Sequence, residues 1–263
     1  MKKFMLLMLI LTMISSTAFA GKTFEGYWEQ TSITTSTMPM QDKEERERQV
    51  IHYKQGKMKI HDVDEGELTI FRFDKGLMWE IDLNSKTYNE VTFAEMQAQM
   101  DQAKESMKEI QGELDSMSPE QRKMMEQMMG DRLKSMLGDD GGMQMEITAE
   151  YTGEKKTING YSCKKVKYYM NGEPFTTVWL TDKYHLGHDL MDIYQKMGLV
   201  KGELSESVRK VRGFPIESDF KMQTGMGDIE TKTTVTKIVT KSLSDSEFVL
   251  PKGLKRSKER MGF

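Results

Sequence analysis

The sequence predicts an α+β fold in which antiparallel β structure dominates: a curved sheet whose apolar face is covered by an inserted pair of methionine-rich helices. Three observations carry that expectation. Short runs of alternating apolar and polar residues, separated by Gly-containing turns, recur along most of the chain, and this is the period of a half-buried strand. Between residues 94 and 137 the period changes to steps of three and four, the spacing of one helix face. Strands and helices do not alternate singly, so the connections read as hairpins, and successive hairpins give an antiparallel meander rather than a parallel sheet.

The first 20 residues stand apart from this pattern. Lys2 and Lys3, an apolar run over residues 4–14 and the small-residue site Ala18-Phe19-Ala20 make a secretory signal, cleaved near Ala20. The apolar run is short for a membrane span, and no Cys follows the cleavage site to accept a lipid. Residues 21–263 are therefore expected to form one exported, periplasmic or secreted domain with no transmembrane segment. Without Lys2 and Lys3, 36 basic residues face 41 acidic ones, a formal charge of −5 that disfavours nucleic acid as a partner. Cys163 is the single cysteine, so an exported chain is held by its core and not by an internal disulfide. Roughly 240 residues are enough for a sizeable core, and no Pro-rich or Ser-rich linker divides them. Cys163 reads as a small packed side chain, with no neighbouring His to activate it.

Residues 24–33 read as a first strand, and residues 34–47, polar and then densely charged, as a loop or exposed edge. A hairpin over residues 50–60 turns at Gln55-Gly56, which pairs Tyr53 with Met58 and Ile51 with Ile60 on one face. A second hairpin covers residues 67–82. With Asp74-Lys75-Gly76 as a three-residue loop, Phe73 pairs with Leu77, Phe71 with Trp79 and Thr69 with Ile81. The opposite face then carries Arg72, Glu80 and Asp82 and is wet. A strand at residues 87–91 leads into the helices.

The first helix places Met96, Met100, Ala103, Met107, Ile110 and Leu114 on one side and stops near residues 112–118. Ser118-Pro119-Glu120-Gln121 starts a second helix, striped with Met124, Met125, Met128, Met129, Leu133, Met136 and Leu137 and ended by Gly138 and the following Asp and Gly residues. Two short amphipathic helices cannot bury such stripes against each other alone, so both are expected to rest on the sheet. Beyond them, residues 145–152 and 175–181 read as strands, with Asn159-Gly160 and Asn171-Gly172 as hairpin turns. Residues 186–197 read as a short helix and 205–212 as a helical turn or an edge. Residues 214–222, 229–240 and 248–250 return to strand, and a basic tail over 252–260 reads as solvated.

A family resemblance rests on motifs in a fixed order. Gly56-Lys57-Met58-Lys59-Ile60, the run from Asp74-Lys75-Gly76 through Trp79-Glu80-Ile81-Asp82 to Lys86-Thr87-Tyr88, then Gly160-Tyr161-Ser162-Cys163, Gly213-Phe214-Pro215-Ile216 and Phe248-Val249-Leu250-Pro251 resemble the domain-of-unknown-function family 4412. The resemblance implies a fold similar to the LolA-like lipoprotein carriers, in which an antiparallel half-barrel holds helices against its concave face. The long Met-rich insertion departs from those carriers, and none of their ligand-contact residues has a matching position, so lipoprotein transport is not implied.

Catalytic signatures are missing from the sequence: it holds no Gly-x-Ser-x-Gly elbow, Cys–His pair, phosphate-cradling glycine loop or His-Glu-x-x-His, and a non-enzymatic protein without a cofactor is expected. His185 and His188 lack a third ligand at metal spacing, while His52 and His61 read as solvated. The expected function is binding of an apolar ligand, a lipid or acyl chain, between sheet and helical lid. Its groove is lined by Tyr53, Met58, Ile60, Phe71, Phe73 and Trp79 from the hairpins and by Met96, Met100, Met107, Met125 and Met129 from the helices. The alternatives are copper handling through Met124, Met125, Met128 and Met129, since thioethers bind Cu(I), and an envelope partner-binding surface whose protein partner the sequence does not specify.

Overall fold

The computed structural model of the chain describes residues 23–38, 44–116, 118, 147–186, 206–224 and 227–257. Twelve strands form one open, curved sheet. In chain order they are β1 (Gly26–Ser36), β2 (Glu44–Lys54), β3 (Lys57–Asp62), β4 (Glu67–Arg72), β5 (Leu77–Asp82), β6 (Thr87–Thr92), β7 (Ile147–Ile158), β8 (Tyr161–Met170), β9 (Glu173–Thr181), β10 (Phe214–Thr224), β11 (Gly227–Thr240) and β12 (Lys255–Arg256). Two α-helical segments, α1 (Phe93–Ser116) and α2 (Glu206–Arg209), and a 3-10 turn (Asp245–Phe248) complete the described elements.

The spatial order is β12-β6-β5-β4-β3-β2-β1-β11-β10-β9-β8-β7, two meanders joined where β1 pairs with β11. Every pairing between these strands is antiparallel except the two-residue contact of β12 with β6. The turns explain the meander. Asn159-Gly160 and Asn171-Gly172 all adopt positive φ, as a two-residue hairpin loop requires. The first hairpin has the register read from the sequence, with Tyr53 opposite Met58 and Ile51 opposite Ile60.

The second hairpin does not. Phe71 faces Met78 and Ile70 faces Trp79, so the loop is four residues, 73–76, and the register is shifted by one from the expected pairing. The cause is local. Phe73 leaves the ladder to stack on Phe71 at 5.5 Å, and Arg72 clamps the turn with Nε and Nη2 donating to the Asp74 carboxylate at 2.8 and 2.7 Å. Because side chains alternate, a one-residue slip moves Trp79 to the opposite face.

The sheet therefore has two apolar faces over β3–β6, and the expectation of one wet side is corrected. One face carries the row Tyr53–Met58–Phe71–Met78–Val91 and receives Phe93 and Met96 of α1. The other carries Leu68, Ile70, Ile81 and Trp79 and is covered by Leu243, Phe248, Leu250 and Leu254 from the carboxy-terminal segment. Lys54 and Lys57 hold Asp245 at 2.9 and 2.8 Å, and Lys59 holds Glu247 at 2.6 Å, which fixes that segment in place.

Three further expectations change. Residues 34–47 are not simply a loop: β1 runs to Ser36 and β2 begins at Glu44. Residues 248–250 are not a strand, since the 3-10 turn ends at Phe248. The basic tail is not wholly solvated, because Lys255 and Arg256 pair with Thr87 and Tyr88. Residues 205–212 resolve in favour of a helical turn, α2, whose Val208 and following Val211 close a cluster with Val166, Tyr168, Phe175, Val178 and Leu180. The second Met-rich helix and most of the helix read at 186–197 lie outside the described residues, as do residues 1–20.

Candidate ligand-binding face

The face that receives α1 grades from apolar to acidic along its strands. Nearest the helix, Tyr53, Met58, Phe71 and Met78 are all less than 5 % exposed. The next row is Ile51–Ile60–Thr69–Glu80–Asn89, and the one beyond it Gln49–Asp62–Glu67–Asp82–Thr87. The strand period that buries Tyr53 and Ile51 also carries Gln49, Glu47 and Glu45 onto this face.

α1 starts on a reciprocal cap. The Glu95 backbone N–H donates to Thr92 Oγ1 at 3.1 Å, and Glu95 Oε2 accepts from the Thr92 N–H at 2.9 Å. Its first turn drives Phe93 against Phe73, ring centroids 6.2 Å apart, and buries Met96. Among the described side chains of α1, Phe93 and Met96 are the buried ones.

Part of the polar end of the face is linked in a hydrogen-bond relay. Trp28 Nε1 donates to Gln30 Oε1 at 2.8 Å, Gln30 Nε2 to Gln49 Oε1 at 2.9 Å, and Gln49 Nε2 to Glu47 Oε1 at 2.6 Å. Beside this relay, the Ser32 and Thr233 hydroxyls meet at 2.9 Å and those of Thr34 and Thr231 at 3.0 Å. Such pairing removes the penalty of burying polar groups. Burial pushes the Glu47 carboxyl up to about 8, and its hydrogen bond with Asp62 and the Asp62 charge add to the rise. Asp62 Oδ1 in turn accepts the backbone N–H groups of Asp64 and Glu65 at 3.0 and 3.1 Å. A cavity of about 410 Å³ opens here, with Glu45, Glu47, Asp62, Glu67, Glu80 and Asp82 in its lining.

Of the residues singled out from the sequence, Tyr53, Met58, Ile60, Phe71, Phe73 and Met96 come together in one cluster. Trp79 does not: it lies on the opposite face, where its Nε1 donates to Glu90 Oε2 at 2.7 Å. Met100 and Met107 lie on α1, with side chains outside the described set, and Met124, Met125, Met128, Met129 and His188 lie outside the described residues. The His185 carbonyl accepts the Phe24 N–H at 2.8 Å. Among the described residues no three His, Cys, Asp or Glu side chains gather in a metal-holding group.

Two histidine and cysteine environments are now defined. His52 is half-buried rather than fully solvated. It stacks on Tyr27 at 5.4 Å, and burial, then the Lys59 charge, lowers its pKa to about 4. Cys163 is fully buried, its thiol directed at the Tyr161 carbonyl at 3.3 Å, and burial pushes it up to about 11. The relay of Gln30, Gln49 and Glu47 was missed from the sequence because residues 34–47 read as a loop or an exposed edge. Continuing the two-residue period backwards from Tyr53 and Ile51 would have found it.

The model of a family described as "Domain of unknown function (DUF4412)" matches residues 94–254. No curated protein matches the sequence. Among solved structures, PNGF-II is 12 % identical with a TM-score of 0.36, over 88 % of this chain and 30 % of that one, so the chain spans under a third of its length. The lipoprotein LppX of Mycobacterium tuberculosis is 8 % identical with a TM-score of 0.30, over 82 % of this chain and 90 % of that one. A porin-like protein from Bacteroides uniformis is 9 % identical with a TM-score of 0.18, over 83 % and 98 % of the two chains.

Proposed function

The chain belongs to the DUF4412 family, which brings no activity with it, and we propose from the chain's own residues that it is an exported, non-enzymatic protein that binds a lipid or acyl chain. The ligand's apolar part lies between the α1-bearing face and its helical cover, and its polar end lies toward the Gln30–Gln49 relay. One observation carries this reading. The face is dry and apolar beneath a helix whose described anchorage is a single turn, then polar and open within the length of the same strands. An amphipathic molecule matches that gradient.

Energetics favour a cover that lifts. Tyr53, Met58, Phe71 and Met78 are already buried, so a guest enters by displacing Phe93 and Met96. A segment held by few buried contacts opens at less cost than the core. Methionine refills irregular space through a flexible, polarisable side chain, so the site closes with or without a guest. Each methylene buried contributes about 0.8 kcal/mol, so part of an acyl chain offsets the losses on association. Among the described residues no helix is long and apolar enough to cross a membrane.

Lipid extraction and native mass spectrometry of protein purified from its own host test the reading, together with titration of a fluorescent fatty acid. A co-purifying lipid and binding that Met96→Asp weakens at least about tenfold, with circular dichroism unchanged, are expected. A homogeneous apo mass with no binding at roughly tens of micromolar probe overturns it.

A further inference from the structure

The polar end of the α1-bearing face gathers negative charge around open space. Its cavity of about 410 Å³ is lined by Glu45 and Glu47 of β2, Asp62 of β3, Glu67 of β4, and Glu80 and Asp82 of β5. Arg46 is the one basic residue in that lining, and Glu44 engages its guanidinium at 2.9 Å. Arg48 is forked onto Asp64 at 2.5–3.0 Å. Asp62, Glu67 and Asp82 moreover stand directly opposite one another across three neighbouring strands. Like charges so placed cost stability, and a bound cation relieves that cost.

Two observations define the cation. Among the described residues no three carboxyl groups converge closely enough to hold a metal ion. Spread around a cavity of this size, they suit an organic cation, whose charge is met from several sides at longer range. The second observation is a hydroxyl. Thr69 is only 9 % exposed, stands in the cavity lining between Ile60 and Glu80 of its row, and its side chain has no hydrogen-bond partner among the described residues. A polar group this buried gains from a partner, and a primary ammonium brings three N–H donors.

We propose that this cavity is the head-group subsite of the face and takes a primary ammonium group, so that the ligand is an amine-bearing amphiphile. Ile60 belongs both to the apolar cluster and to the cavity lining and so joins the two subsites. The chain lies under α1, and the ammonium lies among Thr69, Glu67 and Glu80. A phosphate or carboxylate head meets the same field with the wrong sign. This assignment rests on the reading that the face binds an amphiphile, and adds the chemistry of its polar end.

Calorimetric titration of the full chain with dodecylamine, dodecyltrimethylammonium, dodecanoate and dodecyl maltoside, each below its micelle concentration at about pH 7, tests it. Dodecylamine is expected to bind at least about tenfold more tightly than dodecanoate, and added salt is expected to shrink that preference. Glu67→Gln combined with Glu80→Gln is expected to cut it at least about fivefold with circular dichroism unchanged. Thr69→Val is expected to remove the advantage of dodecylamine over dodecyltrimethylammonium, whose head has no N–H to donate. Dodecanoate or dodecyl maltoside binding as tightly as dodecylamine overturns the ammonium subsite and leaves the lipid reading standing. Binding of none of the four overturns both. Calcium that displaces dodecylamine at micromolar concentration marks a metal site and overturns the subsite as well. The wild-type preference decides the matter even where a variant fails to fold.

Discussion

Single side chains respond to pH through what lies over them. His52 sits between the Tyr27 ring and Lys59, so its imidazolium form is disfavoured in the folded state and free to form in the unfolded one. A depressed histidine costs stability as pH falls from its unfolded value of 6.5 toward about 4, because the unfolded chain gains the proton first. Thermal melts from pH 7 to pH 4 are expected to show a fall in Tm that is shallower in His52→Phe, which keeps a ring against Tyr27. Cys163 makes a simpler case. Its burial and raised pKa leave almost no thiolate at neutral pH, so a maleimide is expected to leave the native protein unmodified and to label it fully in denaturant. In the sequence Cys163 was legible as a packed residue because its place in a strand-like run and the lack of a nearby His pointed the same way. His52 was not, since the ring that stacks on it, Tyr27, comes from a neighbouring strand 25 positions earlier in the chain.

At the scale of elements, strands were legible where one turn type was available and ambiguous where two were. Gln55-Gly56 allowed one register, which holds; the stretch from Phe73 to Gly76 allowed loops of three or four residues, and packing of Phe73 on Phe71 and Phe93 selects the longer. The start of α1 was readable from its helical period. How it is held was not, because anchorage depends on which residues of the preceding strands lie beneath it. Phe93→Ala removes the larger of its two described buried side chains. Hydrogen exchange is expected to accelerate along α1 by about tenfold or more while β3–β5 amides keep their protection, the pattern of local opening. Uniform acceleration through the sheet would show instead that α1 is part of the core.

Across the whole molecule, the two meanders meet at the β1–β11 pair, and the last described residues return to cover the outer face of the first meander. Phe248 is fully buried there against Ile70 and its neighbours, and its carbonyl lies 3.4 Å from Arg72 Nη1. Phe248→Ala is expected to cost about 3–5 kcal/mol in urea unfolding, as deletion of a buried aromatic ring does. Removal of residues 242–257 is expected to be worse: it leaves Leu68, Ile70 and Ile81 exposed, so the truncated chain should bind a hydrophobic dye or aggregate. A truncated chain with unchanged stability would mean that the outer face needs no cover.

The sequence by itself determined the antiparallel class, the first hairpin and the two Asn-Gly turns, the family, and the cluster of Tyr53, Met58, Ile60, Phe71 and Phe73 beneath Met96. The hairpin and the turns rest on side chains within a few residues of one another, where period and turn chemistry act, and the family rests on the order of short motifs along the chain. Tertiary structure alone decided that Trp79 turns away from that cluster, that both faces of β3–β6 are covered, and that Gln30, Gln49 and Glu47 join in one polar relay. These depend on groups brought together across the sheet from distant parts of the chain, and a local pattern carries no information about what will be laid over it.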